Sequence, residues 1–138
     1  MGRCFAVLLA LVLSVSAPVM AAGPALNDGP ALTAARALVK EKRWEAAISA
    51  LAQLSVVEPI ADVFNLLAFS QRNNGDYTSA LSNYMRALAL DPDHVGAHEY
   101  LGELYVKTGE MAKARALLAR LEQLCPLGCE ERDRVVQR

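Results

Sequence analysis

Two short stretches of the chain hold side chains whose type and spacing suit chemistry. Cys125 and Cys129 stand in L-C-P-L-G-C-E-E, and His94 and His98 stand one helical turn apart beside Asp91, Asp93 and Glu99. A cysteine pair can be a structural bond, a redox couple or part of a metal site. Redox motifs of the thioredoxin kind keep two residues between the cysteines at a helix start within an α/β fold. Here three residues intervene, Pro126 and Gly128 among them, and no βαβ pattern surrounds them. An even pair in an exported chain is most simply a disulfide, and closing so short a loop stabilises by about 2 kcal/mol in the chain-entropy model. A thiol-disulfide or metal-handling accessory that uses Cys125 and Cys129 is the alternative, and free thiols are the third reading.

Histidines at i and i+4 share a helix face and suit a metal ion. The order is not that of a zinc peptidase, whose glutamate follows the first histidine. Asp93 is expected to cap the helix, with His94 at its exposed start. Ser49, Ser55, Ser70, Ser79 and Ser82 lie in helical runs without a glycine-framed elbow, and there is no glycine-rich phosphate loop. The chain is therefore expected to be non-catalytic, with no metal and no cofactor.

The elements that must position these residues are helices. From Ala61 to His94 the apolar positions Phe64, Leu67 and Ala68 recur at three and four residues, which puts them on one helix face. Asn73, Asn74 and Gly75 tolerate left-handed backbone and turn the chain. A second run follows with Tyr77, Ala80, Leu81, Tyr84, Ala87 and Leu88 at helical spacing, closed by Asp91-Pro92. The small residues Ala68 and Ala80 let the two helices approach, while Tyr77 and Tyr84 fill the space toward the next hairpin.

This unit resembles a tetratricopeptide repeat, a helix-turn-helix of 34 residues. Phe64, Leu67, Ala68, Gly75, Tyr77, Ala80, Tyr84, Ala87 and Pro92 fall where that family places its characteristic residues, and Gln71 departs where tyrosine is usual. A later copy carries Leu101, Gly102, Tyr105, Gly109, Met111, Ala114 and Pro126 at matching positions. His98 stands there in place of Phe64 and is expected to pack. An earlier copy carries Ala35, Trp44, Ala47, Leu51, Leu54 and Pro59, with Glu41 and Lys42 where a turn glycine belongs. Pro59, Pro92 and Pro126 are 33 and 34 residues apart. Helices are expected near 30–41, 44–56, 60–73, 77–90, 94–107 and 111–124, with no strand, and Asp28 capping the first ahead of Pro30.

The resemblance implies an all-α, right-handed superhelical solenoid of three hairpins over 28–126 (28–60, 61–94 and 95–126), with a short C-terminal cap over 127–138. It also implies a concave groove lined by the first helix of each hairpin, with Arg36, Asn65, Phe69, Arg72, Glu99 and Glu103 offered to a protein or peptide partner. Leu32, Val39, Asp62 and Val106 complete that set, and Lys40, Tyr100 and Lys107 reach its rim. Gly96 and Tyr100 replace basic residues of the family's carboxylate clamp. The groove reads as basic toward the first hairpin, apolar with an amide in the middle and acidic toward the third.

The first 22 residues belong to none of this. Arg3, an apolar run from Phe5 to Leu13, Pro18 and the small-residue end Val19-Met20-Ala21-Ala22 read as a signal peptide cleaved after Ala21 or Ala22. Spanning a bilayer takes roughly 20 apolar residues, so an uncleaved anchor is the lesser reading. Cys4 precedes the apolar run, which does not suit a lipoprotein. Residues 23–27 form a flexible lead-in. The whole chain carries a formal charge of −1, with 14 basic and 15 acidic residues among 138. Nothing basic is clustered for nucleic acid. The expectation is a periplasmic, non-catalytic assembly adaptor without stable membrane insertion, with a homodimer as a further option.

Overall fold

A computed structural model describes residues 29–129. The expected leader and lead-in, Asp28, and most of the C-terminal cap lie outside them. Six helices follow in order: α1 (Pro30–Lys40), α2 (Trp44–Val57), α3 (Ala61–Asn73), α4 (Tyr77–Leu90), α5 (Val95–Lys107) and α6 (Met111–Leu124). Consecutive helices pack pairwise, and α3 also touches both α1 and α5. Among the described residues α2, α4 and α6 do not pack on one another. The first helices of the three hairpins are thus drawn together while the second helices splay, which makes the α1, α3 and α5 side concave.

The three hairpins share one turn chemistry. Arg43 N–H donates to Leu38 C=O at 2.9 Å, Asp76 N–H to Gln71 C=O at 2.9 Å and Glu110 N–H to Tyr105 C=O at 2.8 Å. These are the wide bonds of a Schellman closure, which needs a left-handed residue just before the donor. Gly75 and Gly109 supply it at φ +89° and +81°. Lys42 occupies the same place in the first hairpin at φ +58°, so the turn forms there without its glycine. At the other ends, Glu58, Asp91 and Cys125 N–H groups donate to Leu54, Ala87 and Leu121 carbonyls. Pro59, Pro92 and Pro126 stand next in the chain and prevent further helix.

Trp44, Tyr77 and Met111 each open the second helix of a hairpin. Ala47, Ala80 and Ala114 lie one turn on, all buried, where a larger side chain would hold the helices apart. Buried Ala68 and Gly102 face the same close approach from the first helices. One apolar cluster joins Leu32, Ala35, Leu51 and Leu54 to Val63 and Leu67 of α3. Another joins Ala68, Ala80 and Tyr84 to Leu101, Leu104 and Tyr105. Phe64 packs with Ala87 and Ala97. Helix α3 therefore contributes a wall to every cluster.

Capping departs from expectation at two places. The residue before α1 is Gly29, which offers no side-chain cap, and Pro30 fills the first turn. Before α5 the cap is His94 and not Asp93: His94 Nδ1 accepts from Ala97 N–H at 3.1 Å. Nor is His94 exposed, since its side chain retains 14% of its accessibility. Asp76 caps α4 by accepting from Ser79 N–H at 3.0 Å, and the Ser79 side chain together with that N–H holds its carboxyl below the usual range. Cys125 and Cys129 are brought together with Cα atoms 5.6 Å apart, a separation a disulfide spans.

Candidate functional site

A row of three rings from three helices runs from the edge of the concave face, at α2, onto α3 and α5. Trp44, at the start of α2, meets Phe69 of α3 edge-on with centroids 6.0 Å apart, and Phe69 meets Tyr100 of α5 at 4.7 Å. Edge-on and tilted contacts of this kind are favoured by the ring quadrupoles. Arg72, one turn beyond Phe69, lays its guanidinium 5.3 Å from the Phe69 centroid and 5.7 Å from that of Tyr100. It also donates to Glu103 Oε2, and the two side chains keep only 11% and 4% of their accessibility. A guanidinium gripped by rings and a carboxylate is a fixed wall, not a mobile surface charge.

Beside this wall lies an open cleft of about 510 Å³. Phe69, Tyr77, Tyr100 and Val106 give it apolar walls, and Arg72, Glu103 and Lys107 its charges. Lys107 Nζ sits 5.4 Å from the Tyr77 ring. Asn73 closes one corner, with Nδ2 donating to Phe69 C=O at 2.7 Å.

A second cleft of about 630 Å³ lies at the opposite edge, where α1, α3 and α5 begin. Glu58, Asp62, Asp91, Asp93 and His94 line it along with Leu32, Ile60 and Val95. His94 Nε2 donates to Asp62 Oδ1 at 2.8 Å, and Arg36 donates to Asp62 Oδ2 at 2.8 Å. With Nδ1 accepting from Ala97, the ring carries its proton on Nε2. The His94 hydrogen bond, with Arg36 nearby, holds the Asp62 carboxyl below its ordinary value against the opposing effect of burial. Asp93 pairs with Arg120. Among the described residues no group of three or more His, Cys, Asp and Glu is placed to hold a metal ion.

The residues named from the sequence divide into two sets. Phe69, Arg72 and Glu103 line the cleft. Asn65 keeps 6% of its accessibility and Glu99 none, so both lie beneath the concave surface. The Asn65 Oδ1 is buried without a hydrogen-bond partner among the described residues, and a Cβ on Gly96 would come within 3.4 Å of Nδ2. Arg36 is spent on Asp62, and Leu32 is core at 1% exposure. The end-to-end charge gradient along the groove is not observed either. Arg36 pairs with Asp62 and Arg72 with Glu103, each across neighbouring hairpins, so those charges cancel within the wall.

His98 is buried as expected, with Nε2 donating to Pro92 C=O at 2.8 Å. Gln71, the departure from the tyrosine usual at its position, accepts from Asn83 Nδ2 at 2.8 Å and ties α3 to α4. Trp44 and Tyr77, expected to pack between hairpins, have a second place here: Trp44 heads the row of rings and Tyr77 walls the cleft. The signal for their second role was their place as first residues of α2 and α4, beside the groove edge.

Comparison with known proteins agrees with this architecture. A family model described as tetratricopeptide repeat matches residues 72–124. A curated relative, the probable biofilm formation methyltransferase WspC of Pseudomonas putida, is 39% identical over 67 residues. That match takes in 49% of this chain and 16% of the relative's length. Among solved structures, the type III secretion translocator chaperone SycD of Yersinia enterocolitica superposes with a TM-score of 0.70 at 21% identity, over 76% of this chain and 75% of SycD. The Sgt2 TPR domain of Aspergillus fumigatus gives 0.68 at 18% identity over 76% and 71%. MamA of Desulfovibrio magneticus gives 0.65 at 20% identity over 68% and 54%. What these structures share with the chain is the fold, and a stack of helical hairpins of this kind presents an extended concave face suited to a protein–protein interaction scaffold. Residues 72–124 carry tetratricopeptide repeat sequence, and the described residues have the all-α fold of such repeats.

Proposed function

We propose that the chain is a non-catalytic assembly adaptor of the bacterial envelope, and that it holds an extended or helical segment of a partner protein in the cleft beside Phe69. The observation that carries this reading is the row Trp44, Phe69 and Tyr100 on the concave face, half-buried and beside an open cleft. Rings committed to the core are covered on all sides, as Phe64 and Tyr84 are. Large rigid side chains left partly open are the usual anchors of an interface. SycD, which shares the fold, is known in complex with a peptide of the translocator YopD, and that supports a peptide-sized occupant here. Residues 1–22, with the composition of a cleavable leader, support export, and the closeness of Cys125 and Cys129 suits an oxidising compartment.

In this reading Phe69 and Arg72 touch the partner, Glu103 fixes Arg72, and Arg36 fixes the α1 to α3 contact. Asn65 and Glu99 act from beneath by setting how α5 lies on α3. The test is recovery of partners from an envelope extract with the wild-type chain, Phe69→Ala and Met85→Ala. Met85 lies on α4, half-exposed and away from the cleft. Phe69→Ala should weaken a true complex by about 1–3 kcal/mol. Equal recovery by all three chains would remove the groove reading.

A further inference from the structure

We infer that the segment taken by this groove presents an aromatic side chain with a carboxylate beside it, and that this end points toward the α3–α4 and α5–α6 turns. The inference rests on the groove reading above and adds the chemistry and direction of the occupant. Three rings, Phe69, Tyr77 and Tyr100, wall the cleft. An aromatic side chain entering it extends the series in which Trp44 meets Phe69 at 68° and Phe69 meets Tyr100 at 51°. An aliphatic side chain would bury area there without those ring contacts.

Charge supplies the second half. Of the three charges lining the cleft, Arg72 and Glu103 neutralise one another. Lys107 is left: it is exposed, lies over the Tyr77 ring, and has no carboxylate partner among the described residues. Lys40, Lys42 and Arg43 extend positive charge along the same edge, with Glu41 against them. The opposite edge carries Glu58, Asp62, Asp91 and Asp93, of which Asp62 and Asp93 are paired. Seven helical residues separate Asp62 from Phe69, about 10 Å of α3. That is close to the screening length of roughly 8 Å at physiological salt, so both edges act on a segment lying across the groove. A carboxylate is attracted at Lys107 and repelled at the far edge, which fixes direction more than affinity.

The experiment is an amide-resolved NMR titration of the full chain with three capped hexapeptides at millimolar concentration. They have a glycine-serine frame around Phe-Asp, Leu-Asp or Phe-Lys, and each is added to the wild type and to Lys107→Glu. The Phe-Asp peptide should shift amides of residues 69–77 and 100–107, and should bind the wild type about two- to five-fold more tightly than either other peptide. In Lys107→Glu the order of Phe-Asp and Phe-Lys should invert. Equal affinities with shifts confined to the cleft would overturn this inference and leave the groove reading standing. Shifts away from the cleft, or none with any peptide, would overturn both.

Discussion

Arg72 makes the wall of the groove possible, because a guanidinium there satisfies a carboxylate and two ring faces at once. Its partner Glu103 is almost wholly buried, so deleting one member leaves a charge in a poorly solvated place. Arg72→Leu should therefore cost about 3 kcal/mol in denaturant unfolding, and adding Glu103→Leu should restore much of that loss. Additive costs would mean that the two side chains are not coupled. Asp62 makes a different prediction, through pH. Its folded carboxyl is held below the ordinary value, first by the hydrogen bond from His94 and then by Arg36. A depressed carboxyl contributes stability above its unfolded value near 4, and loses it as pH falls through the folded value. Asp62→Asn should flatten the acid limb of thermal stability below about pH 4 and change its shape little near neutrality. An acid limb of unchanged steepness would show that this network does not respond to pH.

At the scale of the element, the sequence announces its turns better than its caps. The α3–α4 and α5–α6 turns were legible because Gly75 and Gly109 take the left-handed backbone that their bond pattern requires. The α1–α2 turn was legible only by analogy, since Lys42 adopts that backbone with a side chain in place. The expected helix bounds agree with the observed ones within a residue, because apolar spacing and proline stops act locally. At α5 Asp93 and His94 both suit the cap position, and a long-range bond gives it to His94. His94 reaches Asp62 in the preceding hairpin, and no local pattern encodes that partner. Opposite responses to substitution follow for the turns. Gly75→Ala meets no atom within 4 Å but must hold a side chain at φ +89°, and should lose about 1 kcal/mol. Lys42→Gly removes the same penalty and should gain about 0.5 kcal/mol after the entropy of the freer unfolded chain is counted. Denaturation midpoints that move in the same direction for both would refute the shared turn chemistry.

On the scale of the whole molecule, stability is carried from hairpin to hairpin, through three apolar clusters among the described residues. The groove's residue types were legible in the sequence, but which of them reach its surface was not. Periodicity gives a face, and depth within that face depends on how far neighbouring hairpins close over it. Asn65 and Glu99 share a register position on α3 and α5 and are both covered, whereas Phe69 and Tyr100, farther along the same helices, are left half-open. Closure of this kind is a property of neighbours, and so is the order of opening. Helix α3 has walls in every apolar cluster, whereas α1 packs at one end of the described array. At 11 residues α1 is the shortest of the six described helices, lacks a side-chain cap, and ends in a turn closed by lysine where the other two hairpins have glycine. In a quasi-one-dimensional stack an end unit opens without breaking the interfaces beyond its neighbour. Native-state hydrogen exchange should thus release the amides of α1 at markedly lower free energy than those of α3 and α5. Ala35→Gly, in α1, should widen that gap by about 1 kcal/mol, because it weakens the helix that already opens first. Uniform protection from α1 to α6 would instead mean that the three hairpins unfold as one cooperative body, and the nearest-neighbour account of this fold would fail.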